Sequence, residues 1–314
     1  MATDASGRQV KLLKLRASQL VKAENGHELC QEQIQLSINY LYWFGYLAWV
    51  VAKNVSYDDV LKAIEKFKKW FGIKGEKGLG PKTLKAMTYP RCGCPDIVDE
   101  ENHRHKQFMR LQSASKEQMP KWTKCGLTYY IESYVSAKDL SKTAQDQIIA
   151  QAWKEWCNVC GLRVERAKTA KKADIIIGGG KGKDQDFDGP AGILAWAYMP
   201  DGEDTQLTMR FDLDETWISD KRDRGVLMLN VAGHEFGHLL GLTHSKRMQA
   251  LMAPFYNESV ATPQPDDDIT RIQALYGPAT GKQAITEPSG KKFVLHCSDL
   301  EIEGHMLVPI HLPN

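Results

Sequence analysis

Apolar positions follow two different periods along the chain, and the change from one to the other divides it. From about Cys30 to Lys53, Ile34, Leu36, Ile38, Leu41, Phe44, Leu47 and Val50 mostly suit a helix, with Gly45 a weak point. A second helix is expected from Ser56, a capping residue followed by the acids Asp58 and Asp59. Val60, Ile64, Phe67 and Phe71 mark its buried stripe, and Gly72 ends it. After the turn Gly78-Leu79-Gly80-Pro81, Lys82 to Met87 reads as a short third helix. These helices form one small unit ending near Tyr89. Residues 97–120, charged and poor in aromatics, read as a linker.

From Lys121 the pattern alternates between strand and helix. Strands are expected at Leu127–Val135, Leu162–Val164, Ala173–Ile177, Ile193–Tyr198 and Gln206–Phe211. Helices are expected at Ala137–Cys160, from about Arg224 to Gly241, and at Asp266–Leu275. The fold class is therefore α/β (α+β): a twisted mixed sheet backed by two main helices over 121–277, preceded by a three-helix unit at 30–96 and a leader at 1–29. In the tail, 278–314, Phe293–Leu295 and Met306–Leu312 are candidate short strands, and His296, His305 and His311 read as surface residues.

Composition narrows this only a little. At 314 residues the chain has room for about two domains, and 42% apolar with 25% charged residues is ordinary for a globular protein. A formal charge of +2 makes no case for nucleic acid. No apolar run is long enough for a membrane span, and no secretory leader is visible in Met1 to Val21. Of seven cysteines, Cys92 is read as the free one. The other six (Cys30, Cys94, Cys125, Cys157, Cys160 and Cys297) could form three bridges in an oxidising compartment. Gly178 to Lys183 has the wrong spacing for a phosphate loop.

The candidate chemistry is concentrated in His234-Glu235-Phe236-Gly237-His238-Leu239-Leu240-Gly241-Leu242-Thr243-His244. Histidines at i and i+4 share a helix face, so His234 and His238 can reach one metal ion. Gly241 breaks the helix and lets the chain return with His244. Three imidazoles leave one tetrahedral position open, as in a catalytic rather than a structural zinc. Glu235 can touch a water there without being a ligand, as a general base does. The extended motif resembles that of the metzincin peptidases, which implies a methionine turn downstream, and Met252 in Leu251-Met252-Ala253-Pro254-Phe255-Tyr256 supplies one. Upstream, Pro90-Arg91-Cys92-Gly93-Cys94-Pro95-Asp96 presents Cys92 on a stiff loop between prolines. A thiolate there would fill the open position and hold the enzyme silent.

Together these motifs resemble the matrixins, the matrix metalloproteinases of the metzincin clan, in latent form. The resemblance runs from about Tyr40 to Gly277 and includes Ala173-Asp174-Ile175, Phe187-Asp188-Gly189-Pro190, Ile193-Leu194-Ala195 and Leu275-Tyr276-Gly277; Cys94 stands where the family usually has valine. It implies a zinc metalloendopeptidase with His234, His238 and His244 on zinc, Glu235 as base and Cys92 as latency ligand. Arg91 and Asp96 would support the switch loop, and Met252 would floor the zinc site. Leu194 and Ala195 would align substrate, while Pro254 and Tyr256 wall its pocket. Asp188, Asp212 and Glu215 match a structural calcium site. The family's second, structural zinc falls on Lys181, Lys183, Trp196 and Arg210, which cannot hold a dication; one zinc is expected, with Arg210 or the lysines pairing with Asp184 or Asp186. The implied partners are protein or peptide substrates and an activating protease cutting in 97–120. A monomer acting outside cells is implied. The alternatives are a cell-wall-binding module, from the likeness of the three-helix unit to peptidoglycan-binding domains, and a zinc-binding protein without catalysis.

Overall fold

The computed structural model of the chain describes residues 31–48, 55–98, 121–136, 140–279, 283–286 and 292–295. The expected leader at 1–29, residues 99–120 of the linker, Cys30, Cys297, the three tail histidines and the strand at 306–312 lie outside them. Three helices come first: α1 (Gln31–Trp43), α2 (Tyr57–Trp70) and α3 (Pro81–Ala86). α1 stops well short of Lys53, because Gly45 takes φ +85° and the amides of Tyr46 and Leu47 turn back to the Leu41 carbonyl at 2.8 and 2.9 Å. α2 opens as its sequence dictates. The Ser56 side chain accepts from the Asp59 amide while Asp59 accepts from the Ser56 amide, satisfying both ends of a capping box. Val60, Ile64 and Phe67 are fully buried between the helices; Phe71 is the C-cap and only half-buried.

The described residues contain one six-stranded mixed sheet in the order β1-β5-β6-β4-β2-β3. Its strands are β1 (Arg91–Cys92), β2 (Gly126–Ile131), β3 (Arg163–Arg166), β4 (Ile175–Gly180), β5 (Ile193–Ala197) and β6 (Leu207–Asp212). β5 runs antiparallel to β6; the other pairings are parallel. The residues around Cys92, expected as a loop, thus form an outer strand on β5. Helices α4 (Lys142–Cys157) and α5 (Met228–Leu239) pack together, with the Trp153 and Phe236 rings stacked 3.9 Å apart. The Trp156 indole N–H donates to the Gly233 carbonyl at 2.8 Å, so a buried polar group is satisfied across the two helices. Trp153, Trp156, Ile175, Met209 and Phe236 all lie in the core that α4 and α5 share with the sheet. This packing holds α5 rigid.

Several boundaries differ from expectation. α4 begins at Lys142, because the Ser141 hydroxyl caps the Ala144 amide. α5 begins at Met228 rather than Arg224, because β8 (Val226–Leu227) pairs with β7 (Trp217–Ile218) just before it. The last helix opens in a wide π turn, Pro265–Ile269, before α6 (Thr270–Tyr276). In the tail, β9 (Gln283–Thr286) pairs antiparallel with β10 (Lys292–Leu295). The three-bridge expectation fails: Cys125 is disulfide-bonded, but Cys92, Cys94, Cys157 and Cys160 are free thiols. Cys160 packs in the main core as a small apolar side chain, and burial pushes its thiol up to about 12.

Candidate metal centre

His234 and His238 project from one face of α5, one turn apart. The helix then ends in a Schellman motif: Gly241 takes φ +96°, the Leu242 amide donates to the Gly237 carbonyl at 2.9 Å, and the Gly241 amide donates to the His238 carbonyl at 2.8 Å. That reversal brings His244 back to the other two rings. The three ring centroids lie 4.9, 5.3 and 4.8 Å apart.

The outer nitrogens of all three rings are engaged. Nδ1 of His234 donates to the Leu251 carbonyl, Nδ1 of His238 to the Leu242 carbonyl and Nδ1 of His244 to the Asp96 carboxylate, each at 2.7 Å. Carbonyl and carboxylate oxygens only accept, so each Nδ1 carries the proton and each Nε2 keeps a lone pair. Burial lowers all three imidazole pKa values, His234 to about 3, so the rings are neutral. Nε2 of His234 and of His244 are buried with no hydrogen-bond partner, and Nε2 of His238 lies 3.4 Å from Cys92 Sγ. One donor atom each from Cys92, His234, His238 and His244 falls within 4.8 Å of the others. Neutral nitrogen donors whose lone pairs converge without protons to share are the donor set of zinc, so these residues fit the ion.

Glu235 is fully buried, and the Cys92 thiol beside it is the one polar group set against its carboxylate among the described residues. Burial pushes its pKa up to about 8, near the range where one carboxyl can both take and give a proton at neutral pH. Met252 lies directly under the helix between the two histidines: a Cβ on Gly237 would meet its sulfur at 2.2 Å. The buried Asp268 carboxylate fixes that turn by accepting from the amides of Leu251, Met252 and Gln264 at 2.7, 3.1 and 2.8 Å. An apolar pocket opens beside His234 and Glu235, lined by Leu194, Val231, Leu251, Pro254 and Tyr256. Ala195 and Met252 are not part of that lining; Ala195 offers its carbonyl at the sheet edge and Met252 lies below.

The segment around Cys92 is strung across this cleft. On one side the Arg91 amide donates to the Gly192 carbonyl at 3.0 Å and the Gly93 amide to the Ala195 carbonyl at 2.8 Å. On the other, the Cys92 amide donates to the Pro254 carbonyl at 3.0 Å and the Tyr256 amide to the Pro90 carbonyl at 2.9 Å. Arg91 and Asp96 form a buried two-point ion pair at 3.1 and 2.7 Å. The guanidinium carbon sits 3.4 Å from the Phe44 ring centroid. Desolvation opposes the Asp96 charge, but Arg91 and the His244 N–H outweigh it and hold the carboxyl at about 2.

The remaining candidates are looser. Asp188, Asp212 and Glu215 are not among the donor sets that converge within 4.8 Å in the described residues. Asp188 accepts from the Ile193 amide at 2.7 Å and Glu215 from the Ala191 amide at 2.5 Å. Asp212 Oδ2, however, is buried without a partner, and burial followed by the charges of neighbouring acids raises the Asp212 and Glu215 carboxyls. Of the cations expected to pair with Asp184 or Asp186, Arg210 and Lys181 have other partners, and the Asp184 side chain lies outside the described ones. Arg210 on β6 binds Glu132, just past the end of β2, at 2.7 Å, and Lys181 binds Asp214, in the turn after β6, at 2.5 Å.

A family profile described as matrixin matches residues 121–277, half of the chain. The chain belongs to the matrixin family. Matrixins are zinc metalloendopeptidases, and curated relatives agree with the assignment. Interstitial collagenase of Equus caballus is 37% identical over 232 residues, covering 73% of this chain and 45% of that protein. The Bos taurus protein of the same name is 37% identical over 234 residues, with 74% and 45% covered. Interstitial collagenase B of Mus musculus is 35% identical over 243 residues, with 75% and 48% covered. The chain thus spans about half the length of the curated relatives it matches.

Two residues of this matrixin's site make contacts that the sequence did not signal. Asp96 reaches past Arg91 to a candidate metal ligand, His244, and also accepts from the Tyr46 hydroxyl at 2.7 Å. Asp268 looks in sequence like any acid in the first turn of a helix. Its burial beneath the methionine turn emerges only once the chain has folded back.

Proposed function

We propose that this chain is a latent zinc endopeptidase that cuts peptide bonds in extended protein segments and is silenced by Cys92. The observation that carries this reading is the convergence of three imidazole nitrogens and one thiol sulfur beside a buried Glu235. His234, His238 and His244 would hold the zinc, and Cys92 would take its fourth position. Zinc so held would supply Lewis acidity toward the scissile carbonyl and make water acidic enough to attack it near neutral pH.

The chain's own groups supply the rest. Glu235 takes a proton from the attacking water and returns it to the departing amine nitrogen. The carbonyls of Gly192 and Ala195 on the β5 edge, and that of Pro254 opposite, hold an extended peptide by backbone pairing, as they now hold residues 91–93. The pocket of Leu194, Val231, Pro254 and Tyr256 accepts the apolar side chain that follows the cut. Because residues 90–93 occupy the same groove as substrate, the three N-terminal helices act as an inhibitory pro-domain. Cleavage in 97–120 by another protease releases it. Action outside cells fits this reading, and no helix among the described residues is long and apolar enough to cross a membrane.

Two structural roles complete the proposal. Asp188, Asp212 and Glu215 bind calcium, which would neutralise the clustered acids and give Asp212 Oδ2 a partner. A second zinc is absent, since Lys181 and Arg210 stand at its expected positions and serve ion pairs instead.

The test is a fluorogenic peptide assay on the intact chain, on the proteolytically trimmed chain, and on Glu235→Ala. Trimming should raise turnover, a chelator should abolish it, and Glu235→Ala should keep one zinc while losing about 10²–10⁴-fold in rate. Full turnover by Glu235→Ala would refute the assignment.

A further inference from the structure

Cys94 has no part in the chemistry above, yet it is the second thiol of the site. The chain bends at Gly93 and Cys94 immediately after β1, and the two cysteine sulfurs lie within 4.8 Å of each other. Cys94 is 2% exposed; its amide donates to Cys92 Sγ at 3.3 Å, and its thiol donates to the Ala197 carbonyl at 3.3 Å. One donor atom each from Cys92, Cys94, Glu235 and His238 lies within 4.8 Å of the others, and both cysteines are free. The bend is pressed against the sheet: a Cβ on Gly93 would meet Ile193 Cγ2 at 2.7 Å and Trp196 Cβ at 3.3 Å. For filling a small apolar space, any residue of similar size would serve. A thiol placed against the sulfur that blocks the metal adds a reaction the other residues cannot perform.

We propose that Cys92 and Cys94 are a redox pair. A peroxide converts them to an intramolecular disulfide, which removes the Cys92 sulfur from the metal and switches the peptidase on without cutting the chain. The proposal rests on the latency reading above and adds a second route out of latency. In the first step the Cys92 thiol gives up its proton and its sulfur attacks one peroxide oxygen. The O–O bond breaks, the departing hydroxide takes that proton to leave as water, and Cys92 becomes a sulfenic acid. In the second step the Cys94 sulfur gives up its proton and attacks the Cys92 sulfur. The S–O bond breaks, and the oxygen leaves with that proton as a second water. Two thiols are oxidised and one peroxide is reduced. The sulfurs, now within 4.8 Å of each other, must close to about 2.05 Å. A disulfide sulfur is no longer a thiolate and loses its hold on zinc.

The experiment uses the full chain loaded with zinc. It is exposed to hydrogen peroxide, its free thiols are blocked with iodoacetamide, and the tryptic peptide 92–104 is weighed. The expected result is a peptide lighter by two hydrogens and unblocked at both cysteines, restored by a phosphine reductant. Uncut chain should gain peptidase activity in parallel and lose it on reduction. Cys94→Ser should give neither the linkage nor the reversible gain. A Cys92 sulfinic acid beside an alkylated Cys94, or two alkylated thiols, would overturn the proposal. Cys92→Ser separates the two readings. If it stays silent after trimming has proved the protease competent, the latency reading fails, whereas the peptide mass alone decides whether the pair bonds.

Discussion

Asp96 is held by three partners at once: the Arg91 guanidinium, the Tyr46 hydroxyl and the His244 ring N–H, at 2.7 to 3.1 Å. Replacing it with asparagine leaves Arg91 charged and buried, a loss of about 3–5 kcal/mol for a broken buried pair. Asp96→Asn is expected to be active without trimming, measured as basal turnover of the uncut chain; silence equal to wild type would contradict it. The same contacts set a pH dependence. Asp96 titrates at about 2 in the folded chain, below the ordinary carboxylate value near ~4. Its stabilisation is therefore complete above ~4 and is lost as pH falls through about 2. Hydrogen-exchange protection of the described N-terminal residues should hold at pH 5 and weaken only in stronger acid. The Arg91–Asp96 pair was legible in the sequence through the motif around Cys92. The tie to His244 was not, because it joins residues far apart in the chain whose proximity depends on the packing of two units.

The element that decides the site is α5 with the turn that ends it. Its spacing of two histidines and a glycine could be read directly, because helix geometry is local and a glycine at positive φ is a local demand. The start of α5 could not be read: Leu227 gives no side-chain cap, and the boundary is set by the pairing of Val226–Leu227 with Trp217–Ile218. Likewise β1 looked like a loop, since nothing in Arg91-Cys92 marks a strand until β5 offers its edge. Two substitutions probe the element. Gly241→Ala must place an alanine at φ +96°, costing about 1–2 kcal/mol, and is expected to lower the melting temperature and speed zinc loss to a chelator. Gly237→Ala drives a methyl into Met252 Sδ, an overpacking of about 1–3 kcal/mol. Zinc retention and stability unchanged in both would contradict the rigid support drawn for the histidines.

Across the whole molecule, the N-terminal helices and the peptidase unit meet at the cleft. Phe255, next to the methionine turn, packs against Phe71 at 4.5 Å and Tyr89 at 5.7 Å between ring centroids. On the proposed reading, Phe71→Ala should loosen the N-terminal helices and accelerate activation, read as the time course of trimming and turnover. The layered α/β arrangement was visible in the changing hydrophobic period, whereas strand order and the crossing of residues 90–93 through the cleft depend on contacts that no local pattern encodes. Calcium removal tests the remaining acids: a chelator selective for calcium should lower the melting temperature, and Asp212→Asn should abolish that shift. The central claim is a zinc bound by three imidazoles and closed by Cys92, and X-ray absorption at the zinc edge of the uncut chain tests it most directly. The prediction is three nitrogen neighbours at about 2.0 Å and one sulfur at about 2.3 Å, the sulfur vanishing in Cys92→Ser. A shell without sulfur in the wild-type chain, or no bound zinc, would contradict it.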